Sequence, residues 1–473
     1  MDQFDRLWEQ ARPAFDQQRT WQRARSLAVG SLVGLGRRTI SGMLMATGQQ
    51  FADWSAAYRL FSEERFDIPA LMAPARQAVM QHLASQQPLV AMMDDTILRK
   101  RGRKIAGTSW RRDPLGPPFC SNFVWGQRFL QVSAALPEGM GPTRARAIPI
   151  DLVHCPSPRK PRRDASEARW KQYRDDLNAS RISVRGAERI NALRRAMDCD
   201  GQKNRHLIVA VDGSYTNKEV MKRLPERTTL IGRVRKDAKL YRPPAQCTVQ
   251  KRGRKRCYGA PLPTPEQIRQ DPTIPWQSVR AFAVDRLFDF EVKSVGPVRW
   301  RGVGKQDLRL IIVRPLAYRP RKGAHLLYRN PAYLLCTDPQ LSLSQVLQAY
   351  LWRWEIEVNF RDQKTLLGTG QAQVRKSGAV ERVPALIATA YAFMHLSLHK
   401  AHGKIDLPPP CWRRKSPNKR CSSAQGINLM RTQLWGKAMG VENFSDFKRA
   451  QQVKAKSEKC MEDPTSALFY AAT

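Results

Sequence analysis

The segment AYLWRWEIEVNFRDQKTLLG (residues 349–368) decides how the rest of the chain is read. Tyr350, Arg353, Glu357 and Lys364 follow one another at intervals of three, four and seven. Each residue of an α-helix turns about 100°, so these four fall within roughly 60° of one another on one face. Leu347, Leu351, Trp352, Ile356, Val358, Phe360, Leu366 and Leu367 cover the other side. Such a helix buries its apolar side and lines up two cations, a carboxylate and a phenol as one wall of a site. Glu355, the nearest rival carboxylate, points off the stripe. Ser342 with Gln345 offers a capping box for the helix start. A solvated charged face would carry the same stripe, so the reading needs further carboxylates upstream.

Two apolar runs upstream end in aspartate: PLVAMMDDT (88–96) and RHLIVAVDGSY (205–215). FLQVSAALP (129–137), ARAIPIDLVHC (145–155) and TTLIGRVR (228–235) are also strand-like. A long charged helix, 164–197, broken near Ser180, separates the first three strands from the fourth, and residues 217–224 read as a second helix. Three strands, a helix, a strand, a helix and a strand is the order of a ribonuclease-H-like core. Continuous apolar strands are buried on both faces, and sites in open α/β sheets form at strand ends. Neighbours on a strand point to opposite faces, so only one of Asp94 and Asp95 can join Asp212.

The pattern Tyr-x2-Arg-x3-Glu-x6-Lys resembles the signature of bacterial insertion-sequence DDE transposases, related to the composite-transposon cut-and-paste enzymes. The Asp-Asp-Thr run at 94–96 looks like the first motif of a sister group. The resemblance covers approximately residues 88–400 and is strongest at the signature helix. It implies an α/β, ribonuclease-H-like (retroviral-integrase-like) catalytic core interrupted by a β-rich insertion. In that family the catalytic aspartate often precedes a threonine, which selects Asp95, before Thr96. The implied catalytic and metal-binding set is then Asp95, Asp212 and Glu357, holding two Mg²⁺ or Mn²⁺ ions. Carboxylates suit such hard cations, and a metal pair can activate the attacking oxygen and stabilise the leaving one. Tyr350, Arg353 and Lys364 would hold the phosphate backbone, and Tyr333 would stack on a flipped base. Trp276 and Trp300 are rivals for the stacking role, and a buried strand tyrosine is the plain alternative. Lys251, Arg252, Arg254, Lys255 and Arg256 form a basic run that matches one in the family's insertion, where it would contact phosphates. A solvated loop fits that run as well. The basic run at 99–104 suits a DNA-guiding role beside the metals.

The expected organisation is a helical region over 1–85, the first part of the core over 86–235, the basic β-rich insertion over 236–338, the rest of the core over 339–402, and a basic linker with a helical tail over 403–473. The first region reads equally as a helix-turn-helix DNA reader or a plain bundle.

A formal charge of +40 over 473 residues points to a polyanion, with nucleic acid the default partner. A hydrophobic share of 42% excludes wholesale disorder. No run long enough to span a bilayer is present, and the N-terminal residues lack an apolar signal region. The expected setting is the cytoplasm, on the nucleoid. The nine dispersed cysteines contain no CxxC pair and read as reduced thiols. His395, His399 and His402 share a helix face; a packed flank is favoured there over a metal site. The reading is a transposase that binds double-stranded DNA at the terminal inverted repeats of its element and at a target. It would act as a homodimer, cleave strands and transfer a 3′-OH. A ribonuclease-H-like nuclease or resolvase, and a catalytically silent regulator, are the alternatives.

Overall fold

The computed structural model describes residues 1–113, 116–117, 119–120, 122–245, 256–319, 323–400 and 420–438. Five helices come first: α1 (Asp2–Gln10), α2 (Gln18–Val33), α3 (Ile40–Ala46), α4 (Ser55–Ser62) and α5 (Ile68–His82). Thr39 caps α3 by accepting the Gly42 N–H, and Asp67 caps α5 by accepting that of Ala70. Strands β1 (Leu89–Arg99), β2 (Ser109–Arg112), β3 (Phe123–Pro137) and β4 (Ala145–His154) follow. The long charged helix is divided at Ser180 into α6 (Glu167–Ala179) and α7 (Ile182–Cys199). Next come β5 (Leu207–Val211), α8 (Lys218–Met221) and β6 (Thr228–Arg233). The insertion holds β7 (Leu240–Tyr241), α9 (Pro265–Gln270), β8 (Gln277–Ala283), β9 (Arg286–Trp300), β10 (Leu308–Val313), β11 (Ala317–Tyr318), β12 (Leu327–Tyr328) and β13 (Ala332–Cys336). Helices α10 (Leu343–Trp352), α11 (Trp354–Thr365), α12 (Ser377–Lys400) and α13 (Ser423–Ala438) complete it.

The core sheet runs β4–β3–β1–β5–β6. β4, β3 and β1 pair antiparallel, and β1, β5 and β6 pair parallel. This is the ribonuclease-H-like core. β13 then pairs antiparallel with β6, and β10, β9 and β8 continue outward from it. The insertion therefore extends this sheet through β13, β10, β9 and β8, and β11 with β12 forms a small separate hairpin.

Both faces of the central strands are covered. On one, Ala91, Met93, Val209 and Val211 meet Ile190 and Leu193 of α7 in a core that continues into the N-terminal helices. On the other, Val90, Met92 and Ile208 meet Val346, Leu347 and Ile356 of α10 and α11. The N-terminal helices close around α12. Trp8 meets Phe393 edge-on at 5.5 Å between ring centroids. Residues 385–394 of α12 are all buried. The helices before residue 85 thus share their core with the sheet.

Candidate active site

The two parallel strands fix the first two carboxylates. Met93 of β1 lies level with Val211 of β5, so Asp94 stands beside Asp212 where β5 ends. Alternation along β1 sends Asp94 to the same face as Val90 and Met92, the face under α10 and α11. Arg353 reaches down from that layer. Its Nη1 lies 3.4 Å from Asp94 Oδ2, and its Nη2 donates to Glu357 Oε1 at 3.0 Å. Burial, then the charge of Asp212, pushes the Asp94 carboxyl up to about 7, although the Asp95 N–H and Arg353 oppose the shift. Asp212 accepts the backbone N–H of Ser214 at 2.9 Å, as the first residue of a tight turn.

Asp95, the aspartate selected by the resemblance, lies on the other side of the sheet from Asp94. Its carboxylate points to the opposite face, where Oδ1 accepts the Tyr215 hydroxyl at 2.8 Å and Oδ2 lies 3.1 Å from Arg128 Nε. Gly186 of α7 leaves room for the Tyr215 ring, since a Cβ there would sit 2.8 Å from it. Asp95 is held by a structural network and does not meet Glu357.

The signature helix is interrupted at Arg353, which ends α10 and starts α11 while keeping helical dihedrals. Ser342 caps α10 through the Gln345 N–H. Arg353 sits 5.8 Å from the Tyr350 ring centroid. Lys364 lies further along the stripe, half-buried in a small cleft with Thr96, Leu98 and Phe129. Burial first, and then the charge of Arg99, lowers its pKa. The site thus gathers Asp94, Asp212, Tyr350, Arg353 and Glu357, and Lys364 marks a path toward the far end of β1. Glu355 points away and pairs with Arg420 at 2.8 Å.

A buried polar network behind α11 is absent from the sequence reading. Ser133 Oγ donates to Asn359 Oδ1 at 3.2 Å, and Asn359 Nδ2 donates to the Ala147 carbonyl at 3.1 Å. Gln363 Nε2 donates to Gln131 Oε1 at 3.1 Å. Ser423 Oγ donates to Asp362 Oδ2 at 2.5 Å and contacts His395 Nε2 at 3.1 Å. Buried hydrogen-bonded groups of this kind favour one orientation of a helix on a sheet. The signal was available: Gln131 and Ser133 interrupt an apolar strand, and Asn359 and Gln363 fall on the buried side of α11.

Other expectations are corrected or qualified. Tyr333 is buried in β13 at 4% exposure, and its hydroxyl donates to Glu266 of α9. It is a packing residue with no ring face open to a base. Trp276 and Trp300 are both partly buried against the core. Arg256 is exposed, while Lys251, Arg252, Arg254 and Lys255 lie outside the described residues. His395 is buried against Ser423, His399 meets His82 edge-on, and His402 lies outside the described residues. Cys120, Cys155, Cys199, Cys336 and Cys421 are free thiols. Among the described residues, no three His, Cys, Asp or Glu side chains are grouped closely enough to enclose a metal ion. Arg353 stands between Asp94 and Glu357. No helix among those residues is long and apolar enough to cross a membrane.

A ribonuclease-H-like sheet with aspartates at adjoining central strands, under a helix bearing glutamate and arginine, belongs to the class of folds that process nucleic-acid phosphodiesters. Residues 12–305 match the family model described as DDE superfamily endonuclease. The chain belongs to that family, whose members act on DNA and generally use divalent metals. The match takes in Asp94 and Asp212 and stops before α10. No curated protein matches the chain.

Proposed function

We propose that this chain is a DNA transposase, with Asp94, Asp212 and Glu357 as its catalytic carboxylates. The observation that carries the reading is the register of β1 on β5. It sets Asp94 beside Asp212 on the face where Arg353 ties Asp94 to Glu357. The three side chains offer only hard oxygen donors, and the mutual repulsion of Asp94 and Asp212 favours a cation between them. Mg²⁺ or Mn²⁺, two ions by analogy with the family, would supply activation of the attacking oxygen and charge relief at the leaving one.

The chain's own residues have separate tasks. Arg353 pairs with both Asp94 and Glu357 and offsets part of their charge. When a phosphodiester arrives, its guanidinium can turn to the phosphate oxygens, which it grips in bidentate fashion. Tyr350 flanks that guanidinium, and Lys364 adds a point charge further along the backbone path. The polar network behind α11 keeps Glu357 at a fixed height above the sheet. The surplus of cations supplies affinity without sequence information. Recognition of terminal inverted repeats, action as a homodimer and joining of a 3′-OH to target DNA belong to the same proposal. So does a basic insertion over 236–338 that touches DNA.

The test uses purified chain, Mg²⁺ or Mn²⁺, and DNA carrying the ends of the element that encodes it. Cleavage at those ends followed by strand transfer is expected. Asp94→Asn, Asp212→Asn and Glu357→Gln should each abolish cleavage and leave DNA binding within about two-fold of the parent, because binding rests on the basic surface. Cleavage with no strand transfer under any metal would reduce the protein to a nuclease. Cleavage by the Asp94→Asn protein at the parental rate would end the assignment.

A further inference from the structure

β2 and the first part of β3 form a two-stranded ribbon that runs past the end of β1. Trp110 pairs with Trp125 and Arg112 with Phe123. The side chains alternate sharply. Arg111 is buried and donates to the Cys155 carbonyl at 3.2 Å. Its neighbours point the other way: Trp110 is 65% and Phe123 61% exposed, and Arg112 is exposed. Trp110 meets Trp125 edge-on at 5.5 Å, and Trp125 Nε1 donates to the Gly102 carbonyl at 3.2 Å. The ribbon is therefore anchored from behind and offers an aromatic face to solvent.

The same side of β3 leads back to the carboxylate site, with Gln127, Phe129 and Gln131 buried in between. Asp94 is level with Gln131 on β3, and the pairing continues without a break to Arg99 and Gly126. By alternation, Gln131, Phe129, Gln127, Trp125 and Phe123 share one face. Phe123 lies roughly 27 Å from Gln131 at about 3.4 Å per residue. Lys364 stands between the two, in a cleft with Thr96, Leu98 and Phe129 and close enough to Arg99 to feel its charge. Arg99 and Arg101, both exposed, flank the ribbon's root.

We infer that the Trp110–Phe123 face of this ribbon binds unpaired bases of a frayed DNA end whose backbone runs along Lys364 toward the carboxylates. The inference rests on the proposed transposase reading. Exposed aromatic rings beside arginines suit a ligand with flat faces and phosphates, which single-stranded DNA has and a duplex flank lacks. A second copy of the chain fits less well, because each copy carries a charge of +40 and would set arginines against cations.

The experiment measures binding by anisotropy, in EDTA, to a blunt duplex and to the same duplex with an unpaired end bearing 2-aminopurine. The parent should prefer the unpaired end and quench the probe. Trp110→Ala with Phe123→Ala should weaken binding to that end about ten-fold, within the range expected for lost base stacking, and remove the quenching. Binding to the blunt duplex should stay within about two-fold, and the melting temperature should be unchanged. Trp110→Phe with Phe123→Tyr should restore the preference. Equal losses on both DNAs, no loss on either, or dissociation of a DNA-free oligomer by the double alanine variant would overturn the inference. Because the assay contains no metal, it stands or falls apart from strand cleavage. A parent protein that cleaves without strand transfer under any metal would remove the transposase reading and leave a measured stacking face intact.

Discussion

The Tyr215 hydroxyl donates a 2.8 Å hydrogen bond to Asp95 Oδ1 from the face of the sheet opposite Arg353. Two consecutive aspartates are thereby given different work. Asp95→Asn should cost about 1–3 kcal/mol of stability in urea unfolding, since it strips charge from the partly buried acceptor of the Tyr215 hydroxyl, which is also the ion-pair partner of Arg128. Its cleavage rate should stay within about ten-fold of the parent. Asp94→Asn should abolish cleavage and leave the unfolding midpoint equal or higher, because it removes repulsion with Asp212. The opposite pattern in the two variants would return the catalytic role to Asp95.

Arg353 occupies the gap between Asp94 and Glu357, where a cation would also be drawn. In the absence of DNA, Arg353→Ala should therefore bind Mn²⁺ more tightly than the parent by calorimetry, by an expected few-fold. Cleavage should nonetheless fall at least ten-fold, because the phosphate loses its bidentate donor. Arg353→Lys should resemble the alanine variant, since an ammonium cannot span two carboxylates as a guanidinium fork does. Unchanged Mn²⁺ affinity in both variants would show that the guanidinium does not compete for the site.

Tyr333 should behave as a core residue. Tyr333→Phe removes one hydrogen bond to Glu266 and should cost about 1 kcal/mol. Tyr333→Ala should cost about 3–5 kcal/mol. Once folded at low temperature, both proteins should keep the parent's preference between paired and unpaired ends. A selective loss on paired ends would restore the stacking role given to Tyr333 by resemblance.

Acid should weaken the fold through its buried histidines. Burial, followed by the charge of Arg111, holds His154 down from 6.5 to about 4, and burial holds His395 well below its usual value. The folded state keeps both rings neutral while the unfolded chain protonates them near 6.5, so stability is complete above that pH and declines below it. For His154 the loss by pH 4 is on the order of 3 kcal/mol. Asp94 works in reverse: its carboxyl, raised to about 7, is relieved by acid. The measurement is best made on the Asp94→Asn protein, as melting temperature from pH 7.5 to 4.5. His154→Gln should flatten the profile; an unaltered slope would show that another group governs it.

The core order was legible because β1, β5 and β6 are buried on both faces and read as unbroken apolar runs. The same property hid the choice between Asp94 and Asp95. In LVAMM both faces are apolar, so alternation carries no sign of which side will meet α11. Only the partners decide it, with Tyr215 below and Arg353 above, and these lie far away in sequence. The burial of Tyr333 was hidden for a related reason: its place before the signature helix was readable, but the packing of α9 over β13 was not. Buried lysines also escaped notice. Lys293 is 1% exposed and caps the end of α9 by donating to the carbonyls of Ile268, Arg269 and Asp271. Lys100, in a basic run that reads as surface, donates to the carbonyls of Gly370 and Ala372. In each case a cation serves backbone acceptors that have no signature of their own.

The closure of the N-terminal helices around α12 governs the order in which the molecule can be completed. Phe4 and Trp8 are synthesised long before Phe393, the ring they meet. Until α12 emerges, α1 lacks the Phe393 ring and the β4 side of the sheet lacks part of its cover. Contacts so distant in sequence carry a large loop-closure cost and form late. The strands that bear Asp94 and Asp212 can pair early, but Glu357 can be locked over them only when the helix behind it arrives. A nascent chain therefore cannot complete the proposed site before nearly all of the described fold has left the ribosome.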